Sequence, residues 1–272
     1  MWAAASKALY DFLSLIYSVV GSWGWAILIL TLIIRAVLHP LNKKQMVSMQ
    51  KMQKLQPRIK VLQEKYANDR ETLGRETMAL YRENKVNPAS GCLPLLIQLP
   101  ILILLFQVLR TSSFGGASFF GISLEGSVYT QLAQATGFAF NNPSELGFFA
   151  LMSHVFKNPS GLSNVLIWLP NLALVILICY LTWLQQKMSS AGNQQMGAML
   201  VFMPILMAFI CLSLPGGVAL YWAASSLLAA IQQIQVVRKV ENEEKPVLLK
   251  LSLIHISEPT RLRQLSRMPS SA

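Results

Sequence analysis

The chain has 272 residues, of which 53% are hydrophobic and only 13% charged, and its mean hydropathy is +0.45. Soluble domains carry about 25% charged residues, so these values exclude an ordinary soluble domain and predict a membrane protein. A net charge of +11 and a pI near 9.8 raise nucleic acid as a partner, so where the charge lies matters more than its total.

At the N-terminus, Trp2, Leu9, Phe12, Leu13 and Ile16 recur at helical spacing around Lys7 and Asp11. That pattern predicts an amphipathic helix over 1–17, lying on the outer membrane surface. A signal peptide is the alternative, but no small-x-small cleavage site follows the apolar stretch. A start downstream of a missing extracytoplasmic domain also stays open. Five apolar runs follow, at 18–40, 92–110, 163–185, 197–213 and 216–236. Crossing about 30 Å of hydrocarbon takes roughly 20 apolar residues, so each run predicts a transmembrane helix. Pro94, Pro100, Pro170 and Pro204 fall inside spans and predict kinks, which a bundle tolerates. The last two runs are separated by Leu214–Pro215 alone and predict a tight helical hairpin.

Between the first two spans, residues 41–90 form the main extramembrane feature on one side. Met46, Met49, Met52, Leu55, Ile59, Leu62 and Tyr66 recur every three or four positions, one stripe of a helix. "NDRE" from Asn68 to Glu71 reads as a turn with a capping box. A second helix then carries Leu73, Met78, Leu80 and Tyr81 and ends near Asn87–Pro88. The pair predicts a helical hairpin. Either its two stripes bury each other, or the adaptable methionines Met46, Met49 and Met52 touch incoming apolar segments.

The basic residues give the orientation. Residues 41–90, the 186–196 loop and the 237–272 tail hold nineteen of the 23 Lys and Arg, whereas the long loop 111–162 holds only Lys157. Cytoplasmic loops collect Lys and Arg. The N-terminus is thus expected outside and the C-terminus inside, which five spans also require. Attraction to anionic lipid heads follows from the same bias, and a ribosome-facing role for the basic segments is compatible with it. Specific DNA binding is not expected, because no recognition motif accompanies the charge. From about Lys250 the tail changes character. "LIHISEPTRL" resembles a translated adapter sequence rather than an evolved tail, so disorder and no function are expected over 250–272.

Catalytic and metal signatures are missing. The sequence has no G-x-x-x-x-G-K-[ST], no G-x-S-x-G and no H-E-x-x-H. His39, His154 and His255 are scattered, and Cys92, Cys179 and Cys211 show no CxxC spacing. Neither an enzyme nor a cofactor or metal is expected.

Arg35 is the anomaly, a cation inside an apolar run. At the bilayer centre an arginine costs about 2.5–3.5 kcal/mol on insertion scales, and it cannot shed its proton. It lies roughly 7–12 Å deeper than the span end marked by Pro40, Asn42, Lys43 and Lys44, at 1.5 Å per residue. Snorkelling is one explanation. Pairing with an acid is a second, yet no span contains Asp or Glu. A wet cavity is the third. Thr31, Gln98, Gln107, Thr182, Gln185, Gln186, Tyr221, Ser225, Ser226, Gln232 and Gln233 are the polar groups available to line it. Such a site would attract an anion.

Three runs carry a family resemblance: "TLIIRAVLHPLNKKQMVSMQKMQKLQPRIKVLQEKY", "ALYRENKVNPASGCLPLLIQLPIL" and "LPGGVALYWAASSLLAAIQQ". In order and spacing, over about residues 5–240, the chain resembles the YidC/Oxa/Alb membrane protein insertases. The shared marks are the intramembrane arginine, the N-P-x-x-G-C-x-P-x-L-x-Q-x-P run and the L-P-x-G-x-x-L-Y-W run. The resemblance implies the five-span bacterial form without the large periplasmic domain. It implies an all-α polytopic fold, with five helices around a hydrophilic groove open to the cytoplasm and closed outside. It implies insertion and folding of nascent membrane proteins in the bacterial inner membrane, alone or with the Sec translocon. The family's groove arginine falls on Arg35, and its groove or substrate-contact positions fall on Gln186, Tyr221 and Trp222; Gln98, among the polar groups of the spans, is a further candidate groove residue. The basic tail that helps ribosome binding in some relatives has no clean counterpart in the altered tail here.

Two other classes compete. An anion-binding transporter or channel would also use an intramembrane arginine, but only five spans and no second intramembrane charge are present. A passive scaffold docking a soluble partner through the hairpin would leave Arg35 without a role.

Overall fold

In the computed structural model, residues 2–87, 93–111, 114–138, 148–157, 163–189 and 197–265 are described. The elements are α1 (Trp2–Val20), α2 (Trp23–Lys65), α3 (Arg70–Glu83), α4 (Leu93–Thr111), β1 (Ser118–Phe119), β2 (Ile122–Ser123), α5 (Val128–Thr136), α6 (Phe148–Lys157), α7 (Val165–Ser189), α8 (Gly197–Ser213) and α9 (Gly216–Leu265). The chain is an all-α membrane protein, its two short strands forming one small antiparallel ribbon.

Helix α1 runs three residues past the expected boundary at 17. It stops where Gly21 adopts φ +70°, a left-handed conformation open to glycine, with its N–H bonded to the Tyr17 carbonyl at 2.7 Å. Ser22 is extended, and α2 starts at Trp23 rather than at 18. Ala3–Val20 is apolar and long enough to cross a membrane. It packs on α2 and α4 through the wholly buried Leu13. The Tyr17 and Trp23 rings stack at 4.1 Å, and Trp23 meets Phe114 edge-on at 4.6 Å, so the first bend is fastened to the loop after α4.

Helix α2 runs 43 residues without a break through Pro40 and Pro57. The sequence pattern predicts a span at 18–40 and a separate hairpin at 41–90. Each proline removes one backbone donor, but the surrounding Lys, Gln, Met and Leu residues are good helix formers that carry the helix across. Helices α2 and α3 pack against each other. Leu55, Ile59 and Val86 make a small core, with Met52, Leu80 and Tyr81 packed against it. The cap differs by one residue from the predicted Asn68–Glu71 box. Asp69 caps α3 by accepting from the Thr72 N–H at 3.0 Å.

Four described helices are long and apolar enough to cross a membrane: Ala3–Val20, and the spans within α2, α7 and α9. Gln98–Leu109 in α4 and Phe202–Ser213 in α8 are shorter apolar stretches. A turn at Leu214–Pro215 joins the last two spans, but rather than on each other, α8 packs chiefly on α7, and α9 on α2 and α7. Helix α9 lies along α2 and α7, and its backbone stays helical to Leu265. The sequence reading expects disorder from about 250. A segment rich in Leu, Lys, Glu and Arg has the intrinsic propensity to extend a helix already begun.

The loop after α4 is not structureless. The β1–β2 ribbon and α5 follow, and α5 opens on a capping box in which Ser127 and Thr130 bond reciprocally. Helix α6 packs on α5 through Leu151, which is wholly buried. The segment sits closely on the bundle because glycines let it. A Cβ on Gly24 would stand 2.1 Å from the Phe119 ring, and one on Gly216 would stand 2.1 Å from the Ser123 carbonyl oxygen. Close approach through small residues is how helices gain packing energy in lipid, where the hydrophobic effect offers little between them.

Candidate functional site

Arg35 lies about 18 Å along α2 from Trp23, at 1.5 Å per residue, and is half-buried. Its Nε and Nη2 donate to the Ser225 hydroxyl on α9 at 2.8 and 2.6 Å. Tyr221 stands one turn before Ser225, on the same face of α9. Its ring is 1% exposed, and its hydroxyl accepts from the Gln98 amide of α4 at 2.8 Å. Tyr221 is also the electrostatic neighbour of Arg35. Three helices, α2, α4 and α9, therefore meet in one polar cluster inside an apolar bundle. No described carboxylate faces Arg35. Both its hydrogen bonds end on one neutral oxygen, and a guanidinium carries five N–H donors, so donors remain for another acceptor.

The other predicted positions are not gathered here. Trp222 is part-buried and packs against the main apolar core. Gln186 is half-buried on α7, and no described contact links it to Arg35. Met52 belongs to the hairpin core. Met46 instead lines a cleft between α2 and α9, and Met49 is half-buried beside it in sequence. The three methionines thus do not act as one stripe. Several polar groups predicted to face a wet wall are used structurally. Thr31 and Thr182 return their hydroxyls to their own helices at 2.7 Å. The Gln185 amide donates to the Ser226 carbonyl at 3.0 Å, and the Gln233 amide to the Gln185 carbonyl at 3.3 Å, so α7 and α9 are stapled together. Gln53 fastens the hairpin to the end of α7 by donating to the Met188 carbonyl at 3.0 Å.

Asn171 is the residue that the sequence did not single out. It is 2% exposed in α7, next to Pro170. Its Oδ1 accepts from the Ser123 N–H at 3.0 Å, and its Nδ2 donates to the carbonyls of Ser123 and Gly126 at 3.2 and 3.1 Å. The Gly216 and Gly217 N–H groups donate to Gly126 and Leu124 at 2.9 Å each. The ribbon segment is thereby sewn across the ends of α7 and α9, at the end of the bundle opposite the hairpin. An asparagine in an apolar span beside a proline was the available signal. Among the described residues, no group of three or more His, Cys, Asp or Glu could hold a metal ion.

The fold and site define a multi-pass membrane protein with a half-buried arginine in a polar cluster between its helices. The family described as 60Kd inner membrane protein matches residues 15–244, and the chain belongs to it. It is 35% identical over 241 residues to "Membrane protein insertase YidC" of Francisella tularensis subsp. novicida (strain U112). That match covers 88% of this chain and 37% of the relative. The protein of the same name from Francisella philomiragia subsp. philomiragia is 34% identical over the same lengths. The chain thus spans about 37% of the length of these curated relatives. A solved structure, "Active YidC insertase crystal structure with the first transmembrane domain resolved", aligns with TM-score 0.56 and 26% identity. It covers 85% of this chain and 46% of that one. The family and the apolar helices make this a multi-pass protein of the bacterial inner membrane.

Proposed function

We propose that this chain is a non-enzymatic membrane protein insertase and chaperone. In this reading it takes transmembrane segments from the cytoplasmic side into a hydrophilic groove around Arg35. The observation that carries the reading is an arginine within an apolar span that, among the described residues, hydrogen-bonds to a neutral hydroxyl, with Tyr221 and Gln98 beside it. The hairpin and both basic segments face the cytoplasm, with the N-terminus outside. The Sec translocon is the natural partner at the groove's lateral side, and a ribosome at the basic face.

The physics is simple. Bringing one carboxylate to the bilayer centre costs about 3 kcal/mol on insertion scales. A guanidinium at about 4 Å returns on the order of 4 kcal/mol in a site of effective dielectric near 20. Arg35 has already been desolvated by folding, so that attraction offsets the cost of one acidic residue. The substrate's own helix then leaves for lipid, driven by apolar burial at about 25 cal/mol per Å². No nucleotide takes part.

The test is insertion of a single-span substrate with an acidic N-terminal tail into proteoliposomes. Wild type and Arg35→Lys are expected to insert, and Arg35→Ala to fail. Equal insertion by all three variants would overturn the groove role of Arg35. Anion flux through the same vesicles without substrate would favour a transporter instead.

A further inference from the structure

The β1–β2 ribbon turns through two residues. Phe119 pairs with Ile122, so Phe120 and Gly121 form its tip. Both take positive φ, +48° and +80°, the backbone twist that suits a two-residue hairpin. Asn, Asp or Gly is the ordinary choice at the first of these positions, and a bulky residue there is an outlier. Phe120 is that outlier, and it is 81% exposed. Its ring meets Phe119 edge-on at 4.6 Å, and most of it stays open. A strained backbone that presents an apolar ring to the surroundings points to a contact beyond the chain that offsets the strain.

Three spans give the depth of that tip. Phe119 packs edge-on at 5.4 Å against Trp25, near the start of α2. A Cβ on Gly121 would stand 3.2 Å from the Pro170 side chain. Pro170 lies about 7.5 Å inside the end of α7 at 1.5 Å per residue, since that helix begins at Val165. On the third side, Gly216, the first residue of α9, abuts the Ser123 carbonyl. The apolar span of α7 has 24 residues, about 36 Å of helix against about 30 Å of hydrocarbon. The tip is therefore level with the lipid boundary rather than raised above it. Its surroundings are apolar as well. No charged residue occurs from Phe114 to Leu124, and Glu125 turns back to accept from the Phe114 N–H. Trp25 is half-exposed, and Leu166, one turn before Pro170, is exposed, so the tip continues a surface that belongs to lipid. We propose that the β1–β2 turn is a membrane anchor, with Phe120 inserted between headgroups and acyl chains in the leaflet opposite the hairpin. That level is where membrane proteins place aromatic rings, and burial of the ring there offsets its backbone strain. The anchor and the Asn171 bonds hold the same segment from two sides. The inference rests on the membrane-spanning assignment and is read without substrate, so its outcome is independent of the insertase reading.

The experiment places a photoreactive benzoylphenylalanine at Phe120 in the full chain, in vesicles of phosphatidylethanolamine and phosphatidylglycerol. After illumination, intact-protein mass spectrometry reads what the ring has captured. A mass increase of one phospholipid is expected, at a yield comparable with the same probe at Ile176, an exposed position midway along α7. The probe at Glu71, exposed on the hairpin, is expected to capture no lipid. Cross-linked dimers in place of lipid adducts would mark a contact between copies of this chain. In membranes from the expressing cells, a discrete heavier adduct in place of lipid would mark another protein. Either result, or a Phe120 yield no higher than that at Glu71, overturns the proposal. Two substitutions give a reading without a probe. Asn suits the turn better than Phe, so on turn chemistry alone Phe120→Asn should not speed exchange of the Leu124 N–H, which donates to the Ala117 carbonyl at 3.1 Å. Faster exchange in vesicles is expected, because the anchor is lost; equal or slower exchange overturns it. Phe120→Leu keeps an apolar side chain but not the ring contact with Phe119, and is expected to exchange close to wild type. Exchange as fast as in Phe120→Asn would assign the protection to ring stacking and overturn the anchor.

Discussion

Replacing Asn171 with leucine tests how the bundle end opposite the hairpin is closed. The side chains share a branched shape, so Asn171→Leu removes the hydrogen bonds and sets two larger methyl groups against the same backbone atoms. Three are lost, at 3.0, 3.2 and 3.1 Å, to the Ser123 N–H and to the Ser123 and Gly126 carbonyls. Each neutral bond contributes about 1 kcal/mol net, and each buried group left without a partner costs about 1–3 kcal/mol. The Gly126 carbonyl keeps its bond from Gly216, so the loss falls mainly on Ser123. The expected destabilisation is about 3 kcal/mol, read as a lower melting temperature in detergent. Asn171→Asp is expected to be no better, because it faces two carbonyl oxygens with an acceptor or forces a buried acid to stay protonated. A second readout locates the effect. In a background without the native cysteines, Ser225→Cys should label from the loop side faster when Asn171 is Leu. Wild-type melting together with unchanged labelling would refute the claim that Asn171 fastens the ribbon to α7.

Two further outcomes follow from other particulars. Gly216→Ala places a Cβ 2.1 Å from the Ser123 carbonyl oxygen, an overpacked backbone contact that should cost about 1–3 kcal/mol. Gly74→Ala in α3 meets nothing within 4 Å and should stabilise the hairpin by about 0.5–1 kcal/mol. Thermal melts of the two variants should therefore move in opposite directions. Asp69 has its carboxyl held below the ordinary value, first by the hydrogen bond from Thr72. Its cap is fully formed above the usual Asp range and is lost as pH falls through the depressed value. Hydrogen exchange at the Thr72 amide, corrected for intrinsic rate, should lose protection over that acid range in wild type. Protection should be absent throughout in Asp69→Ala.

Much of this arrangement was legible because membranes allow few solutions. Apolar runs mark the helices, and a charge inside one marks a site, so Arg35 is readable without coordinates. Its nearest partner was less so. Ser225 was one of many polar groups on the spans, and only the turn that puts it beside Tyr221, against α2, selects it. The hairpin stripe was half right. Met52, Leu55 and Ile59 face α3, but α2 runs past Pro40, so Met46 lies against α9 instead. Glutamines were hardest, because a side-chain amide serves a groove or a neighbouring backbone equally well. Gln185, Gln233 and Gln53 do the latter. The fastening of the 114–127 segment depends on backbone groups of Ser123, Gly126 and Leu124, which no side-chain pattern encodes. The capping pair Ser127 and Thr130 was its only local mark.

The neutral partner of Arg35 separates two ideas that Arg35→Ala alone does not. The arginine could be needed because a charge must be present, to orient α2 against α9, or because that charge must be available to a visitor. Ser225→Asp distinguishes them. An aspartate at this position reaches the same guanidinium that the serine hydroxyl meets at 2.6–2.8 Å, so the charge stays in place but becomes matched. Ser225 is 3% exposed, and at that burial a carboxylate survives only by pairing with Arg35. If presence is enough, Ser225→Asp folds and inserts the acidic-tailed substrate as wild type does. If availability matters, it folds with an undiminished melting temperature but inserts as poorly as Arg35→Ala, because a competing carboxylate must displace one already bound. The double variant Arg35→Ala with Ser225→Asp should melt lower than either single variant, since it leaves an unpaired buried acid; if it does not, the two side chains were never paired.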